Sequence, residues 1–115
     1  MAAIEVEGKK IELDDEGYMV NFEDWNEKVA CALADIEGVS KTCPLTEDKM
    51  FLLKFIREYY KKYNAFPLPT AVCKNVHQPS QCVVERFIDP FKAWKIAGLP
   101  KPPTEVVYNI GRECG

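Results

Sequence analysis

The 115 residues carry a formal net charge of −3, with 47% hydrophobic and 11% aromatic residues, which suits one folded domain and argues against a disordered chain. Lys and Arg are scattered rather than massed, so the electrostatic footprint of a nucleic-acid binder is missing, and no run of about 18 apolar residues exists to span a bilayer. The opening residues lack the basic and then apolar build of a signal peptide and the cysteines number five, so the chain reads as cytoplasmic and not as a secreted disulfide framework.

Residues 3 to 13 alternate in polarity: Ile4 and Val6 share a face, Glu7-Gly8-Lys9 turns, and Ile11 and Leu13 follow. The pattern predicts a small β-hairpin. Asp14 to Gly17 reads as a second turn, with a short third strand at Tyr18 to Val20. A hairpin of this size needs a helical layer to lie on. Asn21 is placed to cap a helix from about Phe22 to Asp35, with Trp25, Val29, Leu33 and Ile36 on its apolar face and Gly38 at its end. Thr46 then caps the longest helix, about 47 to 63, with Glu47 and Asp48 at the positive end of its dipole. Met50, Leu53, Phe55, Ile56, Tyr59, Tyr60 and Tyr63 occupy more than half of its circumference, so it is expected to be the central, most buried helix. Asn64 suits its C-terminal cap.

Pro67 and Pro69 break the chain ahead of a short helix at about 70 to 76, and His77 to Pro79 makes a turn. Ser80 is placed to cap a second short helix through Phe87. Two short helices about a tight turn have the outline of a helix-turn-helix. The second helix would present Gln81, Glu85 and Arg86, an acid among few donors, which speaks against DNA recognition. Asp89 and Pro90 form a cap and first-turn pair and open a last helix, about 90 to 97, with Phe91, Trp94 and Ile96 able to pack. The expected fold class is mainly α (α+β): a small N-terminal β-hairpin on a helical bundle with a helix-turn-helix-like portion.

Gly98 can take the left-handed conformation that closes a helix, and Pro100, Pro102 and Pro103 then favour extended backbone. A globular body over residues 1–98 is thus followed by a flexible arm over 99–115 that carries Cys114 at the second-last position. The sixteen residues from Gly98 to Cys114 span up to ~53 Å at about 3.3 Å each, unless Val106, Val107 and Tyr108 pin part of the arm to the body as a strand.

Cys73 and Cys82 lie on the two short helices. A bridge between them would close a ~10-residue loop and stabilise by roughly 2.5 to 3 kcal/mol; the alternative is a pair of small apolar residues packed in reduced form. Cys31 reads as a core residue, and Cys43 is open either way. An ordinary thiol is only a few per cent ionised at neutral pH. Arg112 favours the thiolate of Cys114 and Glu113 offsets it. The arm therefore reads as a cargo carrier whose sulfur is activated inside a partner's pocket. Lone His77 has no acid or nucleophile pattern beside it, and no HExxH, phosphate loop or paired CxxC occurs, so no metal site and no self-sufficient catalytic set is expected.

Taken together, VEGKKIELDDEGYMVNFEDW, LTED, FIREYYKKY, the prolines at 67 and 69, AWKIAGLPKP at 93 to 102 and the penultimate cysteine make the chain resemble the DsrC/TusE family. The best-known members are called the gamma subunit of dissimilatory sulfite reductase. The resemblance implies that Cys114 is the sulfur-bearing residue. It implies as partners either sulfite reductase αβ subunits, which hold the sirohaem and iron–sulfur clusters while this chain holds no cofactor of its own, or upstream persulfide carriers. Lys101 matches a basic residue of the family's arm, and Arg57 matches an arginine of the central helix. Two departures stand out: Trp94 occupies the place of a second cysteine, and EVVYNIGRE precedes Cys114 where the family arm is shorter. The expected function is a sulfur carrier; the alternative is a regulatory or DNA-binding paralogue without sulfur transfer.

Overall fold

The computed structural model describes residues 2–79 and 81–107. Strand β1 (Ala2–Val6) pairs antiparallel with β2 (Lys9–Leu13), Ile4 opposite Ile11 and Val6 opposite Lys9. The two residues between them, Glu7 (φ 50°) and Gly8 (φ 81°), both have positive φ, the tight hairpin geometry that follows the strands' own twist. Ile11 and Leu13 point into the core. The expected third strand does not form. Residues 18 to 20 make only an isolated bridge, Leu13 to Met19, because Asp14 folds the chain back on itself: its carboxylate accepts from the Glu16 and Tyr18 N–H groups.

The first predicted helix is also corrected. Phe22–Asp24 forms a single 3-10 turn after Asn21, Trp25 is extended, and α1 begins only at Glu27–Ile36, with the Asn26 side chain accepting from the Val29 N–H at 2.9 Å. Two asparagines compete for the same start, and the second wins because its cap bond is made and that of Asn21 is not. Trp25 is thereby freed from the helix. Ile36 at the far end is exposed, and the buried stripe is Val29, Ala30, Leu33 and Ala34.

The helix α2 (Glu47–Tyr63) has the expected bounds, with Thr46 at its N-cap and Asn64 in the left-handed conformation (φ 51°) at its C-cap. It is not the most enclosed element. Met50, Leu52, Leu53 and Ile56 are buried, while Phe51 and Tyr63 face outward. The short helices α3 (Pro69–Asn75), α4 (Cys82–Phe87) and α5 (Pro90–Ile96) complete the bundle. The proposed capping role of Ser80 lies outside the described residues; α4 starts after Gln81, which makes no side-chain cap bond.

The centre is α5. Its cap is the Asp89 carboxylate accepting from the Lys92 N–H at 2.8 Å, and it packs against α1, α2 and α4. Ala93, Trp94, Ile96 and the following Ala97 and Leu99 are all buried. Trp94 meets Phe66 at a tilt and Phe91 edge-on, with ring centroids 4.9 and 5.6 Å away. Among the described residues no helix is long and apolar enough to cross a membrane.

Candidate functional site

The chain leaves α5 through a reversal that the sequence AGLP dictates. Gly98 has φ +79°, its N–H bonds the Lys95 carbonyl, and the Leu99 N–H bonds the Trp94 carbonyl at 3.0 Å. These two bonds satisfy carbonyls that the end of a helix leaves open. The carbonyls of Ile96 and Ala97 remain, and side chains from elsewhere in the chain meet them. The indole Nε1 of Trp25 donates to the Ile96 oxygen at 2.8 Å, and Arg57 of α2 donates to the Ala97 oxygen at 2.9 Å.

Arg57 ties three segments together. Its second terminal nitrogen donates to the Phe22 carbonyl at 3.0 Å, and its guanidinium carbon stands 3.8 Å from the Phe22 ring centroid and 4.5 Å from that of Trp25. A cation at a helix C-terminus also opposes the negative end of the dipole. Burial pulls the Arg57 pKa down to about 10, against the pull of Glu23 and Glu58, so the group stays charged at neutral pH. Gly98 lies directly on this cluster: a Cβ there would meet Trp25 Cδ1 at 2.6 Å and Arg57 NH1 and Met19 Sδ at 2.9 Å. Only a glycine lets the backbone approach so closely.

Beyond Gly98 the body continues. Leu99 and Pro102 are buried, so the globule runs on past the boundary expected at residue 98. Residues 104–107 wind into a helical turn, with the Val106 N–H bonding the Pro103 carbonyl at 3.0 Å and Val106 packed on the core. At Val106 and Val107 the helical turn replaces both the extended reading and its strand alternative, since the prolines stop at Pro103, while Tyr108 lies outside the described residues. Beside this root lies a cleft of about 620 Å³ lined by Tyr18, Glu37, Phe91, Lys92, Lys95, Lys101 and Pro102 among others. Glu37 takes ion pairs from Lys92 at 3.7 Å and Lys95 at 3.8 Å, and Lys92 Nζ also donates to the Glu37 carbonyl at 2.6 Å. Burial raises the Tyr18 pKa, reinforced by Glu16, Asp14, Asp89 and Glu37, so its hydroxyl stays protonated.

The residues singled out from the sequence thus part company. Arg57 lies under the arm root, while Lys101 is on the rim of the cleft, paired with Glu16 at 3.3 Å. Cys114 and Arg112 lie outside the described residues. The structure joins Cys73 to Cys82 between α3 and α4, both fully buried. It also joins Cys31, half-buried against the edge of the core, to Cys43. On α1 the position of Cys31 is well off the stripe of Val29, Ala30, Leu33 and Ala34, and that offset was visible in the helical spacing. Trp25, Phe22 and Met19 were not read as site residues, because Trp25 was assigned to the apolar face of a helix that does not include it.

The family model described as "DsrC like protein" matches residues 5–106. The chain is 38% identical over 111 residues to the sulfurtransferase TusE of Photorhabdus laumondii, covering 89% of this chain and 96% of that one. It is 35% identical over 104 residues to the dissimilatory-type sulfite reductase subunit gamma of Nitratidesulfovibrio vulgaris, again with 89% and 96% covered. Among solved structures, the oxidized gamma subunit of the dissimilatory sulfite reductase from Archaeoglobus fulgidus superposes with a TM-score of 0.76 at 35% identity, over 89% of this chain and 97% of that one.

Proposed function

The chain belongs to the DsrC-like protein family, and on that premise we propose that it is a sulfur-relay protein that carries sulfur on Cys114 between partner enzymes. The observation that supports Cys114 most directly is what has become of the other thiols. Of five cysteines, Cys31, Cys43, Cys73 and Cys82 are consumed in two bridges, and Cys114 is the fifth.

The transfer needs no oxidant. The Cys114 thiolate attacks the outer sulfur of a donor persulfide, the S–S bond of the donor breaks, and the donor leaves as a thiolate while Cys114 becomes the persulfide. Delivery reverses the step. What the body supplies is placement: Arg57, Trp25 and Gly98 fix the arm root, and Cys114 follows Val107 by seven residues, a reach of up to ~23 Å. The partners are sulfite reductase αβ subunits or upstream persulfide carriers, and sirohaem and iron–sulfur chemistry stays with the partner. With Trp94 where a second cysteine would stand, simple carriage is favoured over a disulfide cycle within the arm. The DNA-binding alternative finds no support in α4, whose Arg86 is turned toward Asp48 and Gln78 at 3.5 and 3.4 Å.

Intact mass after incubation with a persulfide donor tests the proposal. One added sulfur on the native chain, absent from Cys114→Ser, is expected; a native chain of unchanged mass would overturn it.

A further inference from the structure

Exchange between a thiol and a disulfide begins when a thiolate reaches a bridge sulfur, so access decides which bridge can react. Cys73 and Cys82 are fully buried between α3 and α4. Cys43 stands in an exposed stretch, residues 41–44, and Cys31 is half-buried on α1. Only the second bridge is open to attack.

Its distance from the arm root follows from the way α1 ends. Gly38 has φ +74°, and the Val39 and Ser40 N–H groups both bond the Ala34 carbonyl, at 2.9 and 3.3 Å. The chain is thereby turned back toward α1, and Cys43 meets Cys31. From Cys31 to the cap residue Glu37 is six residues of helix, about 9 Å. Glu37 lines the cleft of about 620 Å³ beside the arm root, and Val107 lines the same cleft. Cys114, the one cysteine outside the two bridges, follows Val107 by seven residues, a reach of up to ~23 Å. The ~9 Å of helix and roughly 10 Å of cleft together stay inside that reach. A thiol tethered in this way attacks as if present at millimolar concentration.

We propose that the Cys31–Cys43 bridge is an exchange site for the arm, at which Cys114 is reversibly parked. The Cys114 thiolate attacks Cys43 Sγ, the Cys43–Cys114 bond forms as the Cys31–Cys43 bond breaks, and the electron pair leaves on Cys31, which takes up the proton that Cys114 gave to solvent. One thiol and one disulfide stand on each side of the step, so no oxidant or reductant enters. The Cys31 thiolate reverses it. This rests on the reading of Cys114 as the sulfur carrier and adds its regulation: while linked to Cys43 the carrier thiol is closed to a persulfide donor.

Slow alkylation of the full chain with iodoacetamide in the absence of reductant, followed by peptide mapping, tests this, with thermal melts confirming that each variant is folded. The native chain is expected to take its label on Cys31 as well as on Cys114, and Cys114→Ser to take none on Cys31 or Cys43. In a glutathione redox buffer Cys31→Ser should link Cys43 to Cys114 with an effective concentration of ~1 mM or more, and Cys43→Ser should link Cys31 to Cys114 at least about tenfold less, because Cys31 is the less open of the two. Label confined to Cys114 in the native chain overturns the proposal, as does linkage in Cys31→Ser no greater than in Cys43→Ser. Added mass from a persulfide donor, read on the Cys43→Ser chain, keeps the two readings apart. Loading without exchange overturns this proposal alone, and exchange without loading overturns the carriage reading alone.

Discussion

Gly98→Ala is the sharpest probe of the arm root, because the chain carries its own control. Gly98 and Gly38 both follow helix ends with positive φ, +79° and +74°, but a Cβ on Gly38 meets nothing within 4 Å. Alanine at Gly38 therefore bears only the cost of a left-handed conformation, ~1 to 2 kcal/mol. At Gly98 the same cost applies and a collision is added. Of the three atoms met, Met19 Sδ is the end of a flexible side chain and can yield. Trp25 Cδ1 and Arg57 NH1 belong to groups already held by hydrogen bonds to Ile96 and Ala97. Relief thus means breaking one of those bonds or lifting the arm, at a further ~1 to 3 kcal/mol. The expected loss is ~2 to 5 kcal/mol in all, read from the urea midpoint with the bridges intact. If Gly98→Ala costs no more than Gly38→Ala, the cluster beneath the arm is not tightly packed and the placement argument fails.

Arg57→Lys keeps the charge but loses the fork that reaches the Ala97 and Phe22 carbonyls together, so a loss of ~1 to 3 kcal/mol is expected in the same assay; a change below ~0.5 kcal/mol would show that charge alone suffices. Ile56→Ala opens a cavity at a fully buried position of α2, and ~2 to 5 kcal/mol should be lost; calorimetry showing a near-native melt would place Ile56 outside the core. The two bridges differ in access, since Cys43 is exposed and Cys73 and Cys82 are fully buried. Graded reductant followed by alkylation and peptide mapping should label Cys31 and Cys43 first, and simultaneous labelling of all four would contradict that order.

The hairpin, α2 and the start of α5 were legible because each carries a local signal that nothing else contests: alternation about Glu7-Gly8, Thr46 ahead of two acids, Asp89 ahead of Pro90. Phe22 to Asn26 was misread because two asparagines offer the same cap, and only the packed structure decides between them. That error hid the site. Once Trp25 is placed on a helix face it counts as core, whereas its indole N–H is a donor for a carbonyl 71 residues further along. Arg57 came from resemblance and not from spacing, and its partners at 35 and 40 residues' separation cannot be inferred from local pattern. Position 99 as the start of the arm followed from proline chemistry, which marks where a helix must stop but says nothing about whether Leu99 is buried.

Trp94 connects the chemistry to the mechanics. A thiol at this place, where the family resemblance sets a second cysteine, would lie one turn before Gly98 on α5. The indole found there is instead enclosed between Phe66 and Phe91, and Phe66 in turn contacts Tyr60. Tyr60 then meets Phe22, the ring on which Arg57 rests. The aromatic series thus runs from the helix that ends at the arm root round to the arginine that holds that root from below. An indole at this place fills the space under the reversal where a thiol would leave it open. On the proposed reading, in which Cys114 carries the sulfur, Trp94 leaves α5 no thiol to pair with it, and the packing under Gly98 serves to hold the root still.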